Sequence, residues 1–444
     1  MLSAFVNSFK IPELRQRILF TLGMVFICRI IDIVPTPGVD SRALQIAIND
    51  IQTRAGGGFL GWIDVFSGGA LSNCAVGALS IWPYISASII LQLMTAIVPT
   101  LGRMAREGDV GRQRMNQYTR YLTVAICLVQ GLFLAFTLEN PQALGLSVNV
   151  VADGGWAFRL TTMVTMTTGT MLLMWLGEQI TERGIGNGIS IVIMVNIISR
   201  LPNVLYAGAK MFTTGSHNLF HLGGLLFMIF VVTAATIALT QAQRKVPLHT
   251  AKRVEGRKVY GGQSTFMPLK VNYSGVMPLI FAGALLTFPI MMLRAMKWTW
   301  AKELGGALGM ETGLYLLLYG ILILFFSYFW VATQFNPLQI ADDLKRNGGY
   351  VPGIRPGRPT AEFLDMTMTR ITLFGAVFLT IIAIIPNIAA NRYQVPWLVA
   401  QFMGGTSLLI VVGVALDTMR QVESHLMMRH YDGFLTKGRL QGRR

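Results

Sequence analysis

Ten apolar runs divide the chain: Ile18–Val34, Ala75–Val98, Tyr121–Leu138, Leu160–Gly177, Ile185–Ile198, Leu219–Thr240, Tyr273–Leu293, Gly313–Thr333, Ile371–Ala389 and Leu398–Leu416. A helix that crosses about 30 Å of hydrocarbon needs about 20 apolar residues. Most of the runs approach that length. The fifth is short and opens on GIGNGIS, whose small residues read as a close helix contact. The pattern predicts an all-α polytopic membrane protein with ten transmembrane helices.

One stretch breaks the pattern. Phe59 to Leu71 is apolar but interrupted by glycines. The residues between Gly61 and Gly68 would make a helix only about 9 Å long, so this piece cannot span. It is expected to be a short re-entrant plug. Gly56–Gly58 and Gly68–Gly69 are its expected hinges. The run that follows, Ala75–Val98, carries no charge. Ile81 and Ile85 are four apart and share a helix face. Pro83 lies between them, where it removes a backbone donor and would bend the helix.

Composition agrees with a membrane protein. Charged residues are 13% of the chain, against about 25% in soluble proteins. Cys28, Cys74 and Cys127 are scattered without CxxC spacing and read as small buried hydrophobes. The first apolar run is expected to stay in place and act as its own insertion signal. The net charge is +16. With ten spans, 27 of the 37 Lys and Arg residues fall on the side of the termini, which predicts cytoplasmic N- and C-termini.

Much of that charge sits in two long loops, 241–272 and 336–363, and in the tail 420–444. The loops are tipped by Gly and Pro turns and read either as docking platforms or as topology charge attracted to anionic lipid. No nucleotide-binding or hydrolase motif occurs, and no cofactor is expected. Ionisable groups at mid-membrane mark ion pathways, and the cores of spans two to ten have none. Only Arg29 and Asp32, near the outer end of the first span, are charged, and Arg29 can snorkel outward. An empty midplane argues against a small-solute secondary transporter. It suits a pore with an apolar constriction that excludes water by dewetting. The residues alone leave channel, transporter and membrane scaffold open.

Several separated blocks then narrow the choice. They are SGGALS at 67–72, PYISASII at 83–90, MWLGEQITERGIGNGISI at 174–191, QSTFMPLKVN at 263–272, VPGIRPG at 351–357 and GGTSLLIVVG at 404–413. Together they resemble the SecY/Sec61-alpha family, the protein-conducting channel subunits of the Sec translocase, from Pro12 to about Met428. The resemblance implies two inverted, pseudosymmetric halves of five helices, here 1–210 and 211–444, hinged at about Leu201–Asn218.

It also implies roles for particular residues. The pore ring would be Ile81, Ile85, Ile193, Ile280 and Ile410. The plug would be Phe59–Asn73, with Phe59, Leu60, Trp62, Ile63, Phe66 and Leu71 as its apolar body. Ser86, Gln92, Gln130, Asn272 and Phe288 would line a lateral gate, and Arg355, Lys252, Arg253 and Arg257 would contact SecA or the ribosome. The expected partners are SecE, SecG, the SecA motor, the ribosome, unfolded preproteins with their signal sequences, and lipid. The expected location is the bacterial inner membrane.

Overall fold

The computed structural model describes residues 11–46, 64, 66–105, 107–139, 150–151, 154–213, 219–250, 253–255, 258–260, 264–295, 299–309, 312–393, 399, 402 and 405–437. The chain forms two compact units. One is Met1–His217 with Val395–Phe402 and Ile410–Arg444, and the other is Asn218–Gln394 with Met403–Leu409. Each of the ten apolar runs coincides at least in part with a helix. Phe227, Phe230, Phe325 and Phe374 are exposed, an outer surface suited to lipid rather than water.

In the first unit the helices are α1 (Pro12–Ile31), α2 (Trp82–Ile97), α3 (Pro99–Ala105), α4 (Asp109–Glu139), α5 (Trp156–Arg183), α6 (Gly188–Ser199) and α7 (Leu201–Thr213). α4 packs against α2 and α5. Arg120 on α4 donates to Glu178 on α5 at 2.6 Å, and Arg159 on α5 donates to Glu139 on α4 at 2.8 Å. On each helix the paired residues are 19 apart, about 28 Å of α-helix, close to the thickness of the hydrocarbon layer. The apolar stretch between the two ion pairs therefore matches one membrane crossing. The Arg159 hydrogen bond holds the Glu139 carboxyl below its usual range, outweighing burial, which acts the other way.

Expectations about the second and fifth apolar runs change in this unit. The second apolar run does not begin as helix at Ala75; residues 67–81 fold as turns and α2 starts at Trp82. Pro83 therefore lies in the first turn, where its missing N–H costs nothing, and it starts the helix rather than bending it. The short fifth run is extended by α7, and Gly188–Ala209 is long and apolar enough to cross a membrane. The expected hinge loop at Leu201–Asn218 is thus helical through Thr213.

The second unit contains α8 (Leu219–Gln241), α9 (Met277–Ala295), α10 (Thr299–Ala307), α11 (Gly313–Gln334), α12 (Pro337–Arg346) and α13 (Arg358–Tyr393). α11 packs between α9 and α13, with Phe281 of α9 against Phe326 and Trp330 of α11 at 5.2 and 5.4 Å between ring centres. α14 (Gly405–Lys437) begins in this unit and continues in the first.

The two basic loops contain strands: β1 (Gln243–Thr250), β2 (Arg253–Glu255), β3 (Lys258–Tyr260), β4 (Ser264–Lys270) and β5 (Gly349–Tyr350). β1 pairs antiparallel with β4, and β5 from the second loop adds to the other edge of β1. The loops are therefore one body. Val246, Leu248 and Leu269 of the sheet share a buried core with Val331, Phe335, Val351, Leu364, Met368 and Ile371. Leu364 is fully buried there. Leu364→Ala should remove about 2–5 kcal/mol of core stability and speed tryptic cleavage at Arg244, Lys245 and Lys270. An unchanged cleavage rate would contradict the shared core.

Candidate functional site

The expected plug is described from its second half onward. Phe59, Leu60, Trp62 and Ile63 lie outside the described residues. Phe66 and Leu71 are buried. Phe66 faces Trp82 of α2 at 6.0 Å, and Leu71 joins a core with Leu44, Ala78, Leu134 and Phe158. The chain returns from this segment beside the end of α1. Thr36 N–H donates to Cys74 O at 2.8 Å, and Val76 N–H to Val34 O at 2.8 Å.

The segment is seated by polar side chains. Arg29, at the end of α1, donates to Asp32 (3.1 Å), to Asn196 Oδ1 on α6 (3.3 Å) and to Gly68 O (3.2 Å). It does not snorkel away; it is turned onto the plug segment. Ser199 donates to Gly68 O at 3.3 Å, and Asn196 Nδ2 to Ser80 Oγ at 3.3 Å. Arg200, the one residue between α6 and α7, pairs with Asp64 and donates to Ser72 Oγ at 2.9 Å. Asp64 in turn accepts from Ser72 N–H at 2.9 Å.

Gly68 and Gly69 are not free hinges. Both have positive φ, 64° and 95°, which L side chains rarely adopt. A Cβ on Gly68 would sit 2.6 Å from Arg29 Nη1, and one on Gly69 would sit 2.8 Å from the Arg200 guanidinium. The glycines are there so that two arginines can close over the turn. Arg200 is among the Lys and Arg residues expected on the side opposite the termini, and nothing local announces its pairing with Asp64. The available signal was an acid in a segment that cannot span, on the same expected side as an arginine at a helix end.

The five expected ring isoleucines are all buried. Ile81, Ile85, Ile193 and Ile410 belong to the first unit, and Ile280 to the second. Ile81 is the N-cap of α2, and Ile85 N–H donates to Ile81 O at 3.1 Å, so the two do share a face.

Of the expected gate residues, Ser86 and Gln130 are half-buried and Gln92 is exposed. Asn272 is held in the turn before α9, donating to Gly275 O at 3.0 Å and accepting from Ser274 Oγ at 3.2 Å. The Phe288 side chain lies outside the described residues, as do Lys252 and Arg257. Arg253 pairs with Tyr260 across β2 and β3. Arg355 is exposed on a turn between Gly353 and Gly357, and its carbonyl accepts from Thr360 Oγ1 at 2.8 Å. Its neighbour Ile354 packs on the sheet core and pins the turn from below.

These features define a multi-pass helical membrane protein with a folded-back segment and a folded basic platform. Comparison with known proteins places it more narrowly. The SecY family profile matches residues 75–419. The protein translocase subunit SecY of Thermotoga maritima is 43% identical over the whole of both chains. That of Streptomyces scabiei is 43% identical over 98% of this chain and all of its own, and that of Chlamydia trachomatis is 43% identical over 98% of each. A solved protein-conducting channel superposes with a TM-score of 0.62 at 17% identity, covering 96% of this chain and 94% of its own. Sec61 in a canine ribosome–channel complex superposes at 0.59 and 16% identity, with the same coverage. Both structures share the fold. The chain belongs to the SecY family, the channel subunits of protein translocases, and is not an enzyme. The transporter reading is set aside.

Proposed function

We propose that the chain is the pore of a Sec translocase in a bacterial inner membrane, with both termini cytoplasmic, and that SecE and SecG assemble with it. An unfolded preprotein enters from the cytoplasm, driven by SecA or by a ribosome. The platform of the two basic loops receives that partner through Arg355, with Lys252, Arg253 and Arg257 beside it. Ile81, Ile85, Ile193, Ile280 and Ile410 act as an apolar gasket, and Phe59–Asn73 is the plug above it. The halves 1–210 and 211–444 part at a lateral gate lined by Ser86, Gln92, Gln130, Asn272 and Phe288. An apolar segment leaves there because lipid solvates it better: at a helix centre Leu is favourable by about 0.5 kcal/mol and Asp unfavourable by about 3.

The observation that supports this reading best is the segment 64–80. It does not span; it folds back over the ends of α1 and α6 and leads directly into Ile81 and Ile85. The test is reconstitution of the complex with SecA, ATP and a signal-bearing precursor. The expected result is precursor protected from external protease only when ATP is present. Absence of protection, with an active SecA, would overturn the reading.

A further inference from the structure

We infer that Arg200 and Asp64 form a charge latch that keeps the plug segment in its resting position, with Arg29 as its second catch. The inference rests on the plug reading above. Arg200 sits where α6 gives way to α7, so its backbone is fixed by helix on both sides. From there its guanidinium reaches the Asp64 carboxylate and the Ser72 hydroxyl, closing over the turn between them. Arg29 reaches the same turn from α1 through the Gly68 carbonyl, and it also holds Asp32 and Asn196. Two arginines, one on α1 and one at the junction of α6 and α7, thus close on the segment between Asp64 and Ser72. The Asp64 side chain is 1% exposed and that of Arg200 is 13% exposed. A buried pair in which one partner is lost leaves the other charge uncompensated, so such a pair resists being pulled apart.

A second observation distinguishes a latch from ordinary packing. Arg200 Nε and Asp32 Oδ1 are buried and have no hydrogen-bond partner among the described residues. Buried polar groups are normally satisfied, so the closed arrangement is held but not fully satisfied. Moving the turn outward would let water reach Arg200 Nε, which lies 3.1 Å from where a Cβ on Gly69 would sit. The opposing contributions make the closed position releasable rather than permanent, as a plug that must clear the path of each preprotein requires. The turn is also intolerant of bulk: a Cβ on Gly69 would sit 2.8 Å from the Arg200 guanidinium.

The test compares purified complexes in planar bilayers, each first checked for SecA- and ATP-driven translocation so that the channel reading is judged separately. Asp64→Asn and Arg200→Gln should each raise resting ion conductance, by about tenfold or more on the basis of breaking a buried pair. The exchange Asp64→Arg with Arg200→Asp should bring it back toward the original value, which a purely structural loss would not allow. Arg200→Lys, which keeps the charge but lacks the fork that joins Asp64 to Ser72, should leak less than Arg200→Gln. Leu71→Cys, at a buried position beside the latch but outside its contacts, gives a second readout. An impermeant maleimide added from the outer side should label it faster beside Arg200→Gln than beside the native arginine. Translocation-competent variants with unchanged conductance and unchanged labelling would overturn the latch.

Discussion

Replacing Ile85 and Ile410 together by asparagine raises the resting ion conductance of the reconstituted channel by about tenfold or more; a factor of ten corresponds to about 1.4 kcal/mol of barrier. Both side chains are buried and apolar. A constriction lined by such groups excludes ions because water finds no partner there. Each asparagine amide offers hydrogen bonds, worth about 1 kcal/mol net apiece, so two amides supply the required lowering. The control is Ile85→Val with Ile410→Val, which shortens the side chains without making them polar and should leave conductance close to its original value. Unchanged conductance in the asparagine variant would remove both residues from the seal. Leakage in the valine variant would mean that size, not polarity, makes the seal.

Arg355→Glu weakens SecA binding to the reconstituted complex by about 10- to 100-fold, a loss of about 1.4–2.8 kcal/mol. ATP-driven export falls with it, while insertion of the channel itself is unaffected. An exposed ion pair alone is worth about 1 kcal/mol or less, but reversal adds like-charge repulsion against the same partner surface. Among the described residues the hydrogen bond at Arg355 is to its carbonyl, from Thr360, so the side chain can be changed without disturbing it. Its turn is fixed by Ile354 in the core, so the guanidinium is presented from a rigid support. Arg358 is the internal comparison. It is also exposed but already pairs with Glu362 at 3.4 Å, and Arg358→Glu should have the smaller effect. Native binding should also weaken as salt rises. Equal effects at both positions would reduce Arg355 to one of many surface charges.

Much of the architecture is legible in the sequence because the bilayer is a strict solvent. Backbone polar groups in lipid must be satisfied within the segment, so spans have to be long, apolar and helical, and all ten runs meet a helix. The start of α2 was hidden because residues 75–81 are apolar whether coiled in turns or wound in a helix. What sets the boundary there is Pro83 and the seat under Arg29 and Arg200, and the seat is non-local. The strands of the platform were obscured by charge. Val246 and Leu248 alternate with Lys245, Pro247 and His249, a period of two, yet the loop reads first as a basic run. The pairing of His249 with Tyr350 joins segments about a hundred residues apart, and no local pattern announces it. The latch failed to show for a related reason: neither Asp64 nor Arg200 is unusual until the fold brings them together.

The strand β1 also defines a load path. It follows within two residues of the end of α8, while its partner β4 stops a few residues short of α9. Its other edge is joined to β5, and the Arg355 turn follows β5 at once. Force delivered to that turn is carried sideways through hydrogen bonds in parallel rather than along one slack strand of backbone. The β1–β5 pairing ties the second loop to the base of the first. A load on the Arg355 turn therefore reaches β1 and the end of α8 beside it, so that turn is braced rather than tethered.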